Sequence, residues 1–417
     1  MSDQPRSPAP ASAPFGAKRR TLLKAGAALP ALGFPGLLLA QTNTLKVGVI
    51  LPLTGILAFP GKQTRHGCEL GFRMMKERGI NMEATYIDTE SKPESGRIAA
   101  ERLIRDGNTL LMGAWESGAT ISAAQAAEAA KVPLVVNIAS APQLTEQGFT
   151  MVFRNFTNAS QLITNAVQRI KELPRTATFN PKTAVVTHTS DTFGQAMMGG
   201  VKALWDKLGV DIKIIDVISY DVRARDLSVE VAKAKALNPD LLCPITRVND
   251  AILLVREMVK QDFNPMAIIG PGSPGPYEKA FTDALGKYSD DYLVCVPWYD
   301  PNKPTTKMVL PRWAKEYPGE RLELNSGFGW EGVLVAADAF KRAGSTKPAD
   351  LHTALKATNI EDHLMFGGPI QFDAKGQNEN IGGAMLQIMK EEPVPVGPAQ
   401  IAQAQPKLPM TKWKARG

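Results

Sequence analysis

Short apolar runs alternate with longer amphipathic segments along the chain from Leu45 onward. This alternation is typical of a parallel sheet whose successive strands are joined by helices. Strands are predicted at residues 45–51, 83–88, 109–112, 132–136, 183–187, 211–219, 240–244, 266–269 and 292–296. Helices are predicted at residues 63–78, 117–130, 159–172, 193–208, 226–237 and 249–260, and Pro93 opens another. Residues 305–358 are predicted to be mostly helical and 366–373 extended. Because the alternation resumes after Arg154, we expect an α/β protein with two Rossmann-like lobes, each built on a parallel central sheet.

The first forty residues have the composition of an export signal. The pair Arg19 and Arg20 precedes an almost uncharged stretch that ends at Ala40, as in a twin-arginine signal. The alternative is an uncleaved membrane anchor, but roughly 16 apolar residues interrupted by proline and glycine fall short of the roughly 20 that span a bilayer. We therefore predict a signal peptide at 1–40, cleaved near Ala40, and a periplasmic protein.

The length of the chain indicates the number of domains, and its charge limits the classes of partner. A chain of 417 residues exceeds what one hydrophobic core usually supports, which favours two domains. Residues 1–40 hold five Lys or Arg against one Asp, so only about +3 of the formal +7 belongs to the rest. No basic run interleaved with aromatic residues occurs, so nucleic acid is excluded as a partner.

The cysteines do not suggest a metal or cofactor site. Cys68, Cys243 and Cys295 lie far apart, and the chain has only four histidines. We therefore predict no metal, no cofactor and free, buried thiols.

Candidate binding residues follow from a rule of open parallel sheets, in which ligands bind beyond the carboxyl ends of the strands. The loops at those ends carry hydroxyls, glycines, aromatic residues and one arginine, an inventory that suits a small polar or anionic solute. The predicted ligand-binding residues are Phe59, Trp115, Glu116, Ser117, Ala139, Ser140, Phe193, Arg247, Gly272 and Ser273.

Four segments give the chain a family resemblance: 46–55, 132–145, Phe153-Arg154 and 372–378. In this order and spacing they resemble the branched-chain amino acid and amide group of periplasmic binding proteins. The resemblance covers nearly all of residues 45–378. It implies the type I periplasmic binding fold, with two lobes joined by three crossovers near 155–158, 298–301 and 368–372. Lobe I would comprise 44–157 and 299–369, and lobe II 158–298 and 370–417.

The resemblance also implies roles for several of these residues. Ser117, at a helix start, and the turn Ala139-Ser140 stand where the family holds a ligand carboxylate, and a helix N-terminus favours negative charge. The alternative for Ser117 is a plain helix cap. Phe193 stands where the family commonly has a tyrosine, so it offers ring stacking without a hydroxyl.

Two departures from the family pattern concern the ligand. Amino acid binders of the family place an acidic residue where Gly272 or Ser273 stands here, which argues against an α-amino acid. Conversely, the guanidinium of Arg247 could grip a carboxylate. The alternative is that Arg247 bridges to Asp250 or Glu116 on a solvated rim.

Aromatic side chains could complete such a pocket. Trp115 and Phe59 could wall it with apolar faces, although aromatic residues more often lie in the core. We therefore expect a carboxylate-bearing organic acid, aromatic acids included, in preference to a branched-chain amino acid.

These observations favour a monomeric solute-binding protein that delivers its ligand to an inner-membrane ABC permease with its ATPase subunits. Two other classes stay open: a sensor that reports a ligand to a receptor or regulator, and, less favoured, a hydrolase on the same scaffold. A nucleophile with its base, paired catalytic carboxylates and a phosphate-binding glycine loop are all missing from the sequence. We therefore expect that the protein is not an enzyme.

Overall fold

A computed structural model describes residues 44–416 of the chain. The predicted signal peptide at 1–40 lies outside the described residues.

The first sheet has five parallel strands in the order β2-β1-β3-β4-β5. Its elements in chain order are β1 (Leu45–Leu51), α1 (Ala58–Glu77), β2 (Met82–Asp88), α2 (Ser95–Arg105), β3 (Leu110–Gly113), α3 (Ser117–Ala130), β4 (Leu134–Val136), α4 (Gln143–Glu146) and β5 (Val152–Arg154). Strands β3, β4 and β5 are buried along their whole length, as expected for a parallel sheet covered on both faces. We call this sheet with the helices packed on it the first lobe.

The second sheet has seven strands in the order β12-β11-β10-β9-β8-β6-β7. Its first part comprises α5 (Ala159–Glu172), β6 (Thr183–Thr189), α6 (Thr192–Leu204), β7 (Lys213–Tyr220), α7 (Ser228–Ala236), β8 (Leu241–Ile245), α8 (Val248–Lys260), β9 (Ala267–Pro271), α9 (Lys279–Leu285) and β10 (Leu293–Val296). Strands β6 to β10 are parallel. We call this sheet with its helices the second lobe.

The chain then leaves the second sheet and returns to it. After β10 come α10 (Pro304–Glu316), α11 (Leu324–Ala343) and α12 (Pro348–Lys356), and then β11 (Ala384–Met389) and β12 (Glu392–Gly397). Helix α11 packs along α1 in the first lobe, so the chain passes between the lobes after β5, after β10 and before β11. The helices approach so closely that a Cβ on Gly67 would overlap the carbonyl oxygen of Ser326. This packing fixes the start of α11.

The predicted α/β class with two parallel central sheets is confirmed, with one addition at an edge. Strands β11 and β12 run antiparallel to their neighbours, and both follow residue 373, where the last predicted element ends. Pro393 and Pro395 lie in β12, the outermost strand, where a missing N–H does not interrupt the sheet. Residues 366–373 form no strand and contribute only isolated bridges at Gly367 and Ile370.

One cluster of buried apolar residues includes members of both lobes, among them Val49 in β1 and Val294 in β10. The three cysteines are buried and free. Of the helices in the described range, none is long and apolar enough to cross a membrane.

Candidate functional site

A cavity that is partly open to solvent is lined by residues of both lobes. Its walls come from the segments that follow the carboxyl ends of β3, β4, β5, β6, β8, β9 and β10, together with Leu162 in α5 and the start of α11. Eight of the ten predicted ligand-binding residues line it: Trp115, Glu116, Ser117, Ala139, Ser140, Phe193, Arg247 and Gly272. The structure therefore brings together loops that are more than 150 residues apart in the sequence. That these residues bind a ligand stays a prediction.

Phe59 and Ser273 do not line the cavity. Phe59 lies in α1, because this helix begins at Ala58, five residues earlier than the sequence pattern indicates. Ser273 is fully buried, and its Oγ accepts a hydrogen bond of 2.7 Å from the backbone amide of Thr246. Its contacts are those of a residue that ties the loop after β9 to the loop after β8.

Helix α3 begins at the cavity. Its N-cap residue is Glu116, and no side chain caps its first turn, so Ser117 is not the cap. The amides at the start of a helix carry partial positive charge, and here they begin beside residues that line the cavity. Trp115 has a φ of 72°, and its indole donates a 2.9 Å hydrogen bond to Asn325 Oδ1. This bond connects the loop after β3 with the start of α11.

Arg154 holds the turn after β4 in place by hydrogen bonds. The guanidinium is fully buried and donates to the carbonyl oxygens of Ala139 and Ala141, at 3.2 and 2.7 Å, and to Thr145 Oγ1 at 2.7 Å. Burial lowers the pKa of Arg154 to about 9. Because these bonds fix the backbone on both sides of Ser140, we infer that Arg154 positions one wall of the cavity.

Arg247 enters the cavity from the second lobe. Its side chain is only 5% exposed, its Nη2 lies 2.6 Å from Asp191 Oδ2, and its guanidinium lies 4.8 Å from the centre of the Phe193 ring. The guanidinium of Arg247 does not form the alternative, a solvated bridge to Asp250 or Glu116. Asp250 instead accepts a hydrogen bond of 2.9 Å from the Arg247 backbone amide. The guanidinium of Arg247 thus lies over the Phe193 ring, and stacking of that ring on a ligand stays a prediction.

The ion pair with Arg247 determines the charge of Asp191. Burial raises the pKa of Asp191, but the charge and hydrogen bond of Arg247, with further bonds from Thr189 and Gly194, hold it below its ordinary value. Asp191 therefore stays ionised beside Arg247 at neutral pH.

Glu116 is the third charged group at the cavity, and its environment is less favourable to ionisation. Burial raises the pKa of Glu116 to about 7; Arg247 opposes this rise, and Asp191 and Glu94 add to it. Its Oε2 is buried and has no hydrogen-bond partner among residues 44–416. Glu116 therefore changes charge near neutral pH.

Two more buried polar atoms at the cavity lack partners within the described part of the chain. They are Ser140 Oγ and Arg247 Nη1. Buried polar atoms are normally hydrogen-bonded, and leaving one unpaired costs roughly 1–3 kcal/mol. A ligand with acceptor atoms would satisfy both donors.

The apolar part of the wall includes residues that the sequence analysis missed. They are Ile138, Phe156, Leu162, Pro274, Val296, Pro297 and Leu324. Asn325, also missed, is fully buried and donates to Glu278 Oε1 at 3.2 Å. The residues at 138, 156, 274 and 297 lie within a few positions of the carboxyl end of a strand. The rule that ligands bind beyond these strand ends therefore applies to them as well. Nothing in the sequence pattern indicates the start of α11 as part of the site.

No metal site accompanies these residues. Within residues 44–416, there is no group of three or more His, Cys, Asp or Glu side chains that could hold a metal ion.

Comparison with known proteins adds a family and a fold. A family profile described as periplasmic binding protein matches residues 44–390. The chain is 26% identical over 381 residues to Leu/Ile/Val-binding protein homolog 1 of Brucella abortus, covering 89% of this chain and 97% of that protein.

Two solved structures share the fold. The leucine binding protein LivK of Thermotoga maritima superposes with a TM-score of 0.72 at 21% identity, covering 85% of this chain and 98% of that one. A solute binding protein of an ABC transporter from R. palustris, in complex with benzoate, superposes with a TM-score of 0.74 at 19% identity, covering 85% and 96%.

Proposed function

Since the chain belongs to the periplasmic binding protein family, we propose that it is the solute-binding protein of an ABC importer whose ligand is a small organic acid. The observation that carries the ligand class is the pair of unpartnered buried donors, Ser140 Oγ and Arg247 Nη1, at one cavity. A carboxylate is the small group that accepts from several donors at once. The uncapped start of α3 favours the same charge.

The rest of the cavity suits an apolar ligand body. Phe156, Leu162 and Val296 contribute hydrocarbon surface, and ligand sites commonly combine such walls with a few placed polar groups. One of the two solved structures is a leucine binding protein and the other is in complex with benzoate, so their ligands are leucine and benzoate. Both carry one carboxylate and a compact apolar group.

An amino group on the ligand is less well supported. Gly272 or Ser273 stands where amino acid binders of the family place an acid, and Gly272 has a φ of +68°. A Cβ there would lie 2.7 Å from Met197 Cε and 2.9 Å from Leu162 Cβ, so a side chain does not fit this backbone. We therefore favour an acid without an α-amino group, such as an aromatic acid.

Transport requires closure of the two lobes over the ligand and a permease that accepts the closed form, and we propose both. One lobe would capture the acid, bending of the crossovers would bring the other lobe over it, and the closed form would dock on the permease. Asn249 Nδ2 donates to the carbonyl oxygen of Ile56 at 3.0 Å, joining the first turn of α8 to the loop after β1. We propose that this contact between the lobes belongs to the closed form, that the protein acts as a periplasmic monomer, and that it is not an enzyme.

A thermal-shift screen tests the ligand class. The panel is benzoate, phenylacetate, 4-methylpentanoate, leucine and succinate, added to the protein without its first forty residues. A ligand that binds only the folded state raises the melting temperature. The pair 4-methylpentanoate and leucine differs only in the amino group, so the comparison isolates the ammonium. We expect monocarboxylates to stabilise the protein most; stabilisation by leucine alone would contradict the proposal.

A second measurement identifies the natural solute. Mass spectrometry of small molecules that copurify with the protein is expected to reveal an organic acid. A copurified molecule without an acidic group would argue against the assignment.

A further inference from the structure

The charged groups of the cavity leave little net attraction for an anion. Arg247 is the cation, and Asp191, 2.6 Å away, already balances it. Glu116 lines the same cavity and has a buried oxygen without a partner in the described chain. If Glu116 were ionised, an arriving carboxylate would face a second carboxylate in a space only partly open to water, and like charges in such a space repel strongly.

We propose that Glu116 takes up a proton when the acid binds, so that one carboxylate and one proton enter the cavity together. This inference rests on the proposed function, because it assumes an acidic ligand. Protonated Glu116 also gains a hydroxyl hydrogen, and can donate it to the ligand carboxylate alongside Ser140 and Arg247. The role assigned to Glu116 is therefore to make the site accept a single negative charge.

The surroundings of Glu116 support this role. Burial already raises its pKa to about 7 without any ligand. The other charged groups facing it are Arg247, which favours ionisation, and Asp191 and Glu94, which disfavour it. A ligand carboxylate would add a further negative charge nearby and raise the pKa again.

The proposal gives the pH dependence of binding a definite sign. Below pH about 7 free Glu116 is already protonated, so the dissociation constant is constant there. Above that pH the proton must be taken up on binding, and the dissociation constant rises by up to about tenfold per pH unit. The ligand acids themselves stay ionised throughout this range, so they add no slope of their own.

Calorimetric titration from pH 6 to 9 tests this, using benzoate or whichever of phenylacetate and 4-methylpentanoate stabilises the protein most. For wild type we expect weakening of up to about thirtyfold between pH 6 and 8.5. Titrations at pH 8 in phosphate and in Tris, which differ in ionisation enthalpy, are expected to report uptake of nearly one proton.

The decisive variant is Glu116→Gln, which is neutral at every pH and keeps the shape of the protonated acid. We expect its dissociation constant to be flat from pH 6 to 9, lower than that of wild type at pH 8.5, and its proton uptake to be near zero. Glu379→Gln is the matched control. Glu379 is exposed, does not line the cavity and does not contribute to the pKa of Glu116, so this variant is expected to retain the slope.

The outcomes separate the two proposals. Affinity of wild type that is flat across this range, or a Glu116→Gln variant that keeps the slope, overturns the proton uptake and leaves the ligand class standing. Affinity that rises with pH also overturns it, since pairing of a ligand ammonium with ionised Glu116 would produce that sign. Failure of every acid in the panel to bind at any pH would instead overturn the proposed function, and this inference with it.

Discussion

Arg247 and Asp191 form a partly buried ion pair across the loops after β8 and β6, with 2.6 Å between Nη2 and Oδ2. The pair leaves the second terminal nitrogen of Arg247, Nη1, without a partner in the described residues, at the wall of the cavity. Asp191 thus holds the guanidinium in place while one of its donors stays available to a ligand. The first prediction follows from this arrangement.

Arg247→Ala is expected to weaken binding of the acid by at least about thirtyfold. Truncating one partner of a buried charge pair at an interface costs about 2–5 kcal/mol. Here the variant also leaves the Asp191 carboxylate uncompensated beside the anion. Calorimetric titration measures the loss, and circular dichroism checks the fold. Arg256→Ala, on the exposed side of α8, is the matched control and is expected to bind as wild type.

Ser140→Ala is expected to separate binding from folding. Ser140 Oγ is buried without a partner in the described chain, so its removal costs the folded protein no hydrogen bond. We expect the free energy of unfolding without ligand to change by less than about 0.5 kcal/mol. Affinity for the acid is expected to fall by about 1 kcal/mol, roughly fivefold. Urea unfolding and titration measure the two quantities, and an unchanged affinity would remove Ser140 from the site.

Gly272→Ala is expected to destabilise the protein more than Gly209→Ala. Both glycines have a φ of +68°, so both variants include the cost of a side chain in the left-handed region, about 1 kcal/mol. A Cβ at 209 meets only Lys171 Nζ at 3.8 Å, whereas at 272 it meets Leu162 Cβ at 2.9 Å. Overpacking adds about 1–3 kcal/mol. Equal stabilities of the two variants in urea would show that the wall at Leu162 yields easily.

Glu323→Gln is expected to make stability less dependent on pH. Burial raises the pKa of Glu323 to about 8, and the amide of Lys279 and the charge of Arg321 oppose this only in part. The folded protein therefore keeps a proton that the unfolded chain releases at ordinary glutamate pKa, and stability falls as pH rises from about 4.5 to 8. The glutamine variant has no such proton to lose. We expect it to exceed wild type at pH 8 by on the order of 2 kcal/mol.

Urea unfolding at pH 5 and pH 8 measures this difference. Burial also raises the pKa of Glu278, so a reduced slope of the same sign is expected to remain. Glu379→Gln, at an exposed position, is the control and should retain the slope of wild type. Identical slopes for Glu323→Gln and wild type would contradict the prediction.

Local pattern alone determined most of the secondary structure of the described chain. Helices α3 and α5 run from 117 to 130 and from 159 to 172 as predicted, and each buries one face. Strand β12 was missed, since its prolines are typical of a loop and only the edge position makes them acceptable. Strand β11 was also missed, although its sequence is largely apolar.

The candidate site, too, could be predicted from the sequence only in part. The rule that ligands bind at the carboxyl ends of parallel strands depends only on strand order, so Ser117, Ser140 and Arg247 could be selected from the sequence. The partners of these residues could not. Asp191 for Arg247 and Asn325 for Trp115 are 56 and 210 residues away, and their pairing depends on how loops and lobes pack. Hydrophobic period specifies which elements form and which face is buried, whereas distances across a cavity arise only when two sheets and α11 come together.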